Sequence, residues 1–234
     1  MTEKLEKLQE YKDAGNKMAF NNILIEFLPQ FRKVVHLRLR QLEKNGLIPV
    51  NMYSAQEIVD DVYLKIFEDF SDELIDPNRL KVKMYSIARD ILENLKEKHF
   101  KKKISVEKLY RDELKELEEE FTADADGELV LIEDLDDISY HLDEFKDKIL
   151  LLDAEQVDEL VNGLDIIDDK PISENTSKKI SRVYSKLPEL SQSVVNHFVF
   201  GKLSTTEIAE IHKIPEEIVT EIIEKIKKRL KSIF

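Results

Sequence analysis

Apolar residues recur every three or four positions along most of the chain, the period of a helix that turns one face to a core. Phe20, Ile23, Leu24, Phe27, Phe31, Val34, Val35, Leu37 and Leu39 form one broad stripe, which Pro29 interrupts or kinks. Ser54-Ala55-Gln56-Glu57 has the spacing of a capping box, in which a hydroxyl and a carboxylate satisfy each other's backbone amides. Ile58, Val59, Val62, Tyr63, Ile66 and Phe67 then continue the helical period. After a turn-rich stretch from Ser71 to Asn78, Leu80, Val82, Met84, Tyr85, Ile87, Ala88, Ile91, Leu92 and Leu95 predict a third long helix. It ends in a basic run that could meet phosphates. Near the C-terminus, Leu187-Pro188-Glu189 opens a helical segment, and Ser204 to Glu210 carries a second capping box, with Glu207 reaching back to Ser204. Pro215 suits the first position of a last helix, whose apolar positions are Ile218, Val219, Ile222, Ile223, Ile226 and Leu230. The pattern predicts a C-terminal helix-turn-helix.

With only five glycines and six prolines in 234 residues, the composition agrees with an all-α fold. The absence of cysteine excludes disulfides, thiolate metal sites and cysteine nucleophiles. No apolar run approaches a membrane span and Met1-Thr2-Glu3-Lys4 lacks a signal-peptide pattern, so the expectation is a soluble cytoplasmic protein without membrane insertion.

Charge divides the chain more sharply than hydropathy does. The net charge of −13 comes from its middle: residues 1–103 carry 19 basic against 17 acidic side chains, 104–180 carry 8 against 25, and 181–234 carry 9 against 7. The expected architecture is therefore two helical domains, 1–103 and 181–234, joined by a long acidic, partly helical connector, 104–180.

Two stretches of the front segment carry a family resemblance. Ala55-Gln56-Glu57-Ile58-Val59-Asp60-Asp61-Val62-Tyr63-Leu64-Lys65-Ile66-Phe67 resembles the helix with which bacterial group IV (extracytoplasmic-function type) sigma factors grip the RNA polymerase clamp. Met84-Tyr85-Ser86-Ile87-Ala88-Arg89-Asp90 resembles a signature of the same family's second region, and Leu187-Pro188 with Ser204 to Glu210 looks like its fourth region, in the family's order. The resemblance covers roughly residues 20 to 103 and 180 to 234. It implies that the first domain binds polymerase core and melts the minus-ten element, that the second reads the minus-thirty-five element, and that the connector threads toward the polymerase active site. Carried over residue by residue, the polymerase contacts would be Glu57, Ile58, Asp60, Asp61, Val62 and Tyr63. The DNA contacts would be Lys83, Tyr85, Arg89, Asn94, Lys98, Lys101, Lys102 and Lys103, then Thr205, Thr206, Thr220, Lys225 and Lys228.

Departures from the family pattern are concentrated where DNA would be read. Asp60 stands in place of glutamine, Lys83 in place of an exposed tryptophan and Asp90 in place of asparagine, and Glu93 and Glu97 dilute the basic tail. The recognition helix begins Pro215-Glu216-Glu217, and Glu221 and Ile222 occupy positions where guanine reading calls for arginine or lysine. Glutamates favour a helix start but repel phosphate there. Weak autonomous promoter reading is the expectation, with Lys225, Lys227, Lys228, Arg229 and Lys231 left for backbone contact.

The connector mixes its acids with apolar groups, among them Leu109, Tyr110, Leu114, Leu117 and Phe121, then Leu129 to Ile132, Ile149 to Leu152, and Val157, Leu160, Val161 and Leu164. Disordered linkers are less apolar, so some of it should form helices that pack on a module or a partner. His36, His99, His141, His197 and His212 show no metal-ligand spacing, and no phosphate loop or nucleophile motif is present. The expectation is a protein that is not an enzyme and takes no cofactor or metal. Its leading reading is a sigma-type initiation factor that binds polymerase core and promoter DNA. A recruiting DNA-targeting partner would supply sequence choice, since some sigma factors of this type work beside an RNA-guided, nuclease-dead CRISPR effector. The alternative is a sigma-shaped decoy that sequesters an anti-sigma factor; an ordinary helix-turn-helix repressor is a third reading.

Overall fold

Local capping chemistry sets most of the helix starts. A computed structural model describes residues 2–99, 106–117, 121–123, 129–131, 152–166 and 172–234. Helix α1 is Thr2–Asp13, α2 is Lys17–Phe27, α3 is Phe31–Lys44, α4 is Ala55–Asp69 and α5 is Pro77–His99. They are followed by α6 (Val106–Glu116), α7 (Ala154–Gly163), α8 (Glu174–Ser185), α9 (Glu189–Val195), α10 (Thr205–His212) and α11 (Glu216–Lys231). The fold is all-α. Its only described strands, β1 (Phe121–Ala123) and β2 (Leu129–Leu131), pair antiparallel with Thr122 opposite Val130.

Both capping boxes read from the sequence form. Ser54 Oγ accepts from the Glu57 amide at 3.1 Å while Glu57 accepts from the Ser54 amide at 2.9 Å, and Ser204 and Glu207 repeat the exchange at the head of α10. A third box, Asp153 with Gln156, starts α7. Pro29 does more than kink its helix. Helix α2 ends at Phe27 and α3 begins at Phe31, because proline disfavours the helical conformation of the residue before it. After α3 the chain reverses through Gly46, whose φ of 67° lies in the left-handed region that glycine enters without cost from a Cβ.

By packing, the chain divides into two compact units. The first is Met1–Lys103 with Phe200–Glu216, and the second is Ile104–Val199 with Glu217–Phe234. This partition shares the 103/104 boundary with the charge profile but differs from it near the C-terminus. There the segment that holds α10 groups with the front helices, through contact with α5. Charge counts follow the solvated surface, whereas packing follows the apolar faces.

In the first unit, α4 lies against α3 and α5, and its Ile58, Val59, Val62 and Ile66 are at most 3% exposed. Phe20 is fully buried and meets Phe67 and Phe70 edge-on at 5.1 and 5.3 Å between ring centres. Helix α1, which the sequence reading did not anticipate, buries Leu5 and Leu8, and its Lys12 donates to the carbonyls of Glu68 (3.1 Å) and Phe70 (2.6 Å). A cation there satisfies the free carbonyls at the end of α4. In the second unit, Leu160, Ile180, Tyr184, Val194, Ile222, Ile226 and Leu230 are buried, and a π-helical turn that begins at Asn196 continues α9. The apolar clusters expected to be helical at Leu109 to Leu117 and Val157 to Leu164 fall in or beside α6 and α7, whereas Ile132, Ile149, Leu150 and Leu151 lie outside the described residues. Among the described residues, no helix is long and apolar enough to cross a membrane.

Truncating Phe20 to alanine should cost about 3–5 kcal/mol, the range for emptying a buried aromatic site. The exposed neighbour Met18→Ala should change stability by no more than about 0.5 kcal/mol. Urea unfolding followed by circular dichroism checks both.

Candidate functional site

Helix α4 separates its expected contact residues by helical period. Ile58, Val62 and Tyr63 point inward and are 3%, 0% and 4% exposed, so they hold the helix in the core and offer no surface to a partner. Burial, with the nearby Asp60 carboxylate, pushes the Tyr63 hydroxyl pKa up to about 12, which keeps it neutral. Glu57, Asp60 and Asp61 are exposed, together with Lys65 and Glu68. Between them stands Leu64, 40% exposed, one of the few large apolar side chains on the described surface. Glu57, Asp61, Leu64 and Glu68 line up along one face, giving an acidic ridge with an apolar centre.

Helix α5 treats the expected DNA contacts unevenly. Lys83, Asn94 and Lys98 are exposed and share a face, but Asp90 lies on that face too. Arg89 is held by Asp90, to which its Nε and Nη2 donate at 3.0 and 2.5 Å. The acid that stands where the resemblance would place asparagine thus engages the arginine next to it. Tyr85 is corrected outright. At 1% exposure, with its ring edge-on to Phe31 at 5.0 Å, it is a core residue with its hydroxyl pKa raised by burial, and it cannot stack on an unpaired base. Lys101, Lys102 and Lys103 lie outside the described residues.

The C-terminal positions are drawn into internal bonds. Thr205 and Thr206 both donate their hydroxyls to Glu216 Oε1, at 2.5 and 2.9 Å, and these bonds lower the Glu216 pKa. Both hydroxyls are therefore committed to a carboxylate at the start of α11. Also in this unit, Lys81 of α5 pairs with Glu207 of α10 at 2.5 Å, with both side chains less than 20% exposed. Along α11, Thr220 and Lys228 are exposed, but Lys225 bonds the Leu114 carbonyl at 3.3 Å and pairs with Glu221 at 3.1 Å. Arg229 donates to the Glu116 carbonyl at 2.9 Å. These two cations close the end of α6, and their use there is structural.

Glu113 is the group that the sequence reading missed. Its buried carboxylate accepts from the amides of Leu190 and Ser191, both at 2.7 Å, and from the Ser191 hydroxyl at 2.8 Å. Helix α9 has Pro188 at its N-cap and no side-chain cap of its own, so a residue 77 positions earlier does the capping. Burial raises the Glu113 pKa, and the three hydrogen bonds oppose that rise.

Among the described residues, no cluster of histidine and carboxylate side chains could hold a metal ion. In comparisons with known proteins, no family model, no curated protein and no solved structure matches the chain.

Removing the cap by Glu113→Ala should destabilise the protein by about 1–3 kcal/mol, because two buried amides lose their acceptor. The pH dependence has a definite sign. A carboxyl whose pKa is raised in the folded state holds its proton more tightly there than in the unfolded chain, so its contribution falls as pH rises from the ordinary carboxylate value through the folded one. Compared with Glu113→Gln, the wild-type protein should lose stability across that window, and a flat difference in urea midpoints would contradict the assignment.

Proposed function

We propose that this chain is a sigma-type transcription initiation factor. It binds RNA polymerase core through the exposed ridge of α4 and directs promoter opening with little minus-thirty-five recognition of its own. The observation that carries the reading is the ridge itself: Glu57, Asp61 and Glu68, with Asp60 beside them, flank exposed Leu64 on a capped helix packed against α3 and α5. A leucine ringed by acids suits a basic partner surface with an apolar pocket, since the charges steer the encounter and the side chain supplies buried area. The motif order at Ala55 to Phe67, Met84 to Asp90 and Ser204 to Glu210 supports the same class. Positioning on DNA then falls to a recruiting partner, of which an RNA-guided, nuclease-dead CRISPR effector is one kind.

A second reading is favoured by the internal use of the DNA-facing groups. With the Thr205 and Thr206 hydroxyls on Glu216, and Lys225 and Arg229 on α6 carbonyls, the chain also suits a sigma-shaped decoy that occupies an anti-sigma factor without initiating transcription. Polymerase separates the two. The full chain should co-purify with core polymerase, and the double reversal Asp60→Lys/Asp61→Lys should weaken that association at least tenfold, about 1.4 kcal/mol, while leaving the helical signal unchanged. Failure of the wild-type chain to co-purify would remove the leading reading and leave the decoy.

A further inference from the structure

A groove of about 630 Å³ in the first unit runs between the exposed face of α3 and the loop that leads into α4. None of the positions assigned above to polymerase or DNA lines it. Its volume falls in the range of small-molecule sites, about 300–1,000 Å³. Arg32, His36 and Arg40 stand along one wall, all exposed and spaced four residues apart, so Arg32 and Arg40 are separated by about 12 Å of helix axis. Arg32 and His36 make no hydrogen bond or ion pair among the described residues. Lys33 also borders the groove and lies over the Phe200 ring at 4.9 Å. Partial burial, then Arg40 and Arg32, hold the His36 pKa below the ordinary histidine value, against the opposing pull of Glu43. The ring is therefore chiefly neutral at pH 7, and the guanidinium groups carry most of the charge.

The groove is not cationic throughout. Buried Glu43 stands near the end of α3, about 16 Å of helix axis from Arg32. One of its oxygens accepts from the Asn51 amide at 2.8 Å, and the other lies 3.6 Å from Arg40 Nη1. A carboxylate has about four acceptor positions, so these two contacts leave room for a further donor. Because Asn51 ties the loop to Glu43, Tyr53, two residues on, stands toward the acidic end. A hydrogen bond of 2.8 Å between the Tyr53 hydroxyl and His99 Nε2 restrains its ring beside the groove.

A ligand that satisfies the whole groove has an anionic tail, a flat ring and an N–H donor on that ring. We propose that the groove binds a free purine nucleoside di- or triphosphate, with its phosphates on Arg32 and His36, its base against Tyr53 and the amino group of the base donating to Glu43. Arg40, between the two ends, offsets the remaining charge of the phosphates. A bare polyanion would leave Tyr53 and Glu43 unused. A nucleic acid strand repeats its phosphates along its length and would bring one of them against the Glu43 carboxylate, which repels it. The proposal does not rest on the polymerase reading, since nucleotide binding is measured on the free chain.

The test is isothermal titration calorimetry of the full chain with ADP, GDP, UDP and inorganic pyrophosphate. ADP or GDP should bind saturably, whereas UDP, which has no amino group on its base, and pyrophosphate, which has no base, should each bind about tenfold more weakly or worse. Arg32→Ala should weaken purine nucleotide binding by about tenfold or more, and Arg32→Lys should restore part of it. Tyr53→Ala should weaken nucleotide binding and leave pyrophosphate unchanged, while the control Lys178→Ala on α8 should alter neither. Circular dichroism confirms that each variant is folded. A single-stranded oligodeoxythymidine at equal phosphate concentration should fail to displace the nucleotide. No saturable binding up to about 1 mM ADP or GDP would overturn the proposal. So would UDP, pyrophosphate or the oligonucleotide binding as tightly as the purine nucleotide, or affinity that survives Arg32→Ala unchanged.

Discussion

The apolar stripe of α4 fixes which way that helix faces, and the exposed chemistry of the first unit follows from it. Ile58, Val59, Val62 and Ile66 are packed into a core shared with α3 and α5. Burying each is worth roughly 1.5–3 kcal/mol relative to leaving it in water. No rotation of the helix could expose them without losing most of that energy, so the acids at the remaining positions are held outward. The capping box at Ser54 and Glu57 fixes where the helix begins, and Lys12 closes its far end. A rigid ridge with Leu64 among carboxylates is the outcome.

Elsewhere, several charged side chains are committed to helix ends or to neighbouring side chains. Glu113 caps α9, Lys225 and Arg229 close α6, Glu216 gathers two threonine hydroxyls and Asp90 holds Arg89. Each arrangement answers unsatisfied backbone or side-chain groups, and each draws a group away from a ligand. On the proposed reading, a chain with this pattern of charge keeps its helical framework and leans on a partner to read DNA. Acid in the first turn of α11 and base in its last complement the helix dipole.

Helix positions were legible in the sequence wherever the cause was local. The boxes at Ser54 and Ser204 and the period of α4 and α5 depend on neighbours within one or two turns, and they read directly. Helix α1 escaped because only Leu5 and Leu8 mark its inner face among charged residues. The candidate site was legible only in half. Motif resemblance named Ile58, Val62, Tyr63 and Tyr85 alongside Asp60 and Asp61, but a motif does not say which of its residues face inward, and all four of the first group are buried. Glu113 could not be found at all: its partners lie 77 and 78 residues away, and among so many connector acids nothing local distinguishes it.

The central claim is that the outer face of α4 is a docking surface for polymerase. A photo-crosslinking amino acid placed at Leu64 in the full chain, irradiated with core enzyme, tests it most directly. The account predicts a covalent adduct with a large polymerase subunit that disappears when Asp60 and Asp61 are reversed to lysine. An adduct that forms equally well from a crosslinker at Met18 on α2, or none from position 64, would contradict it.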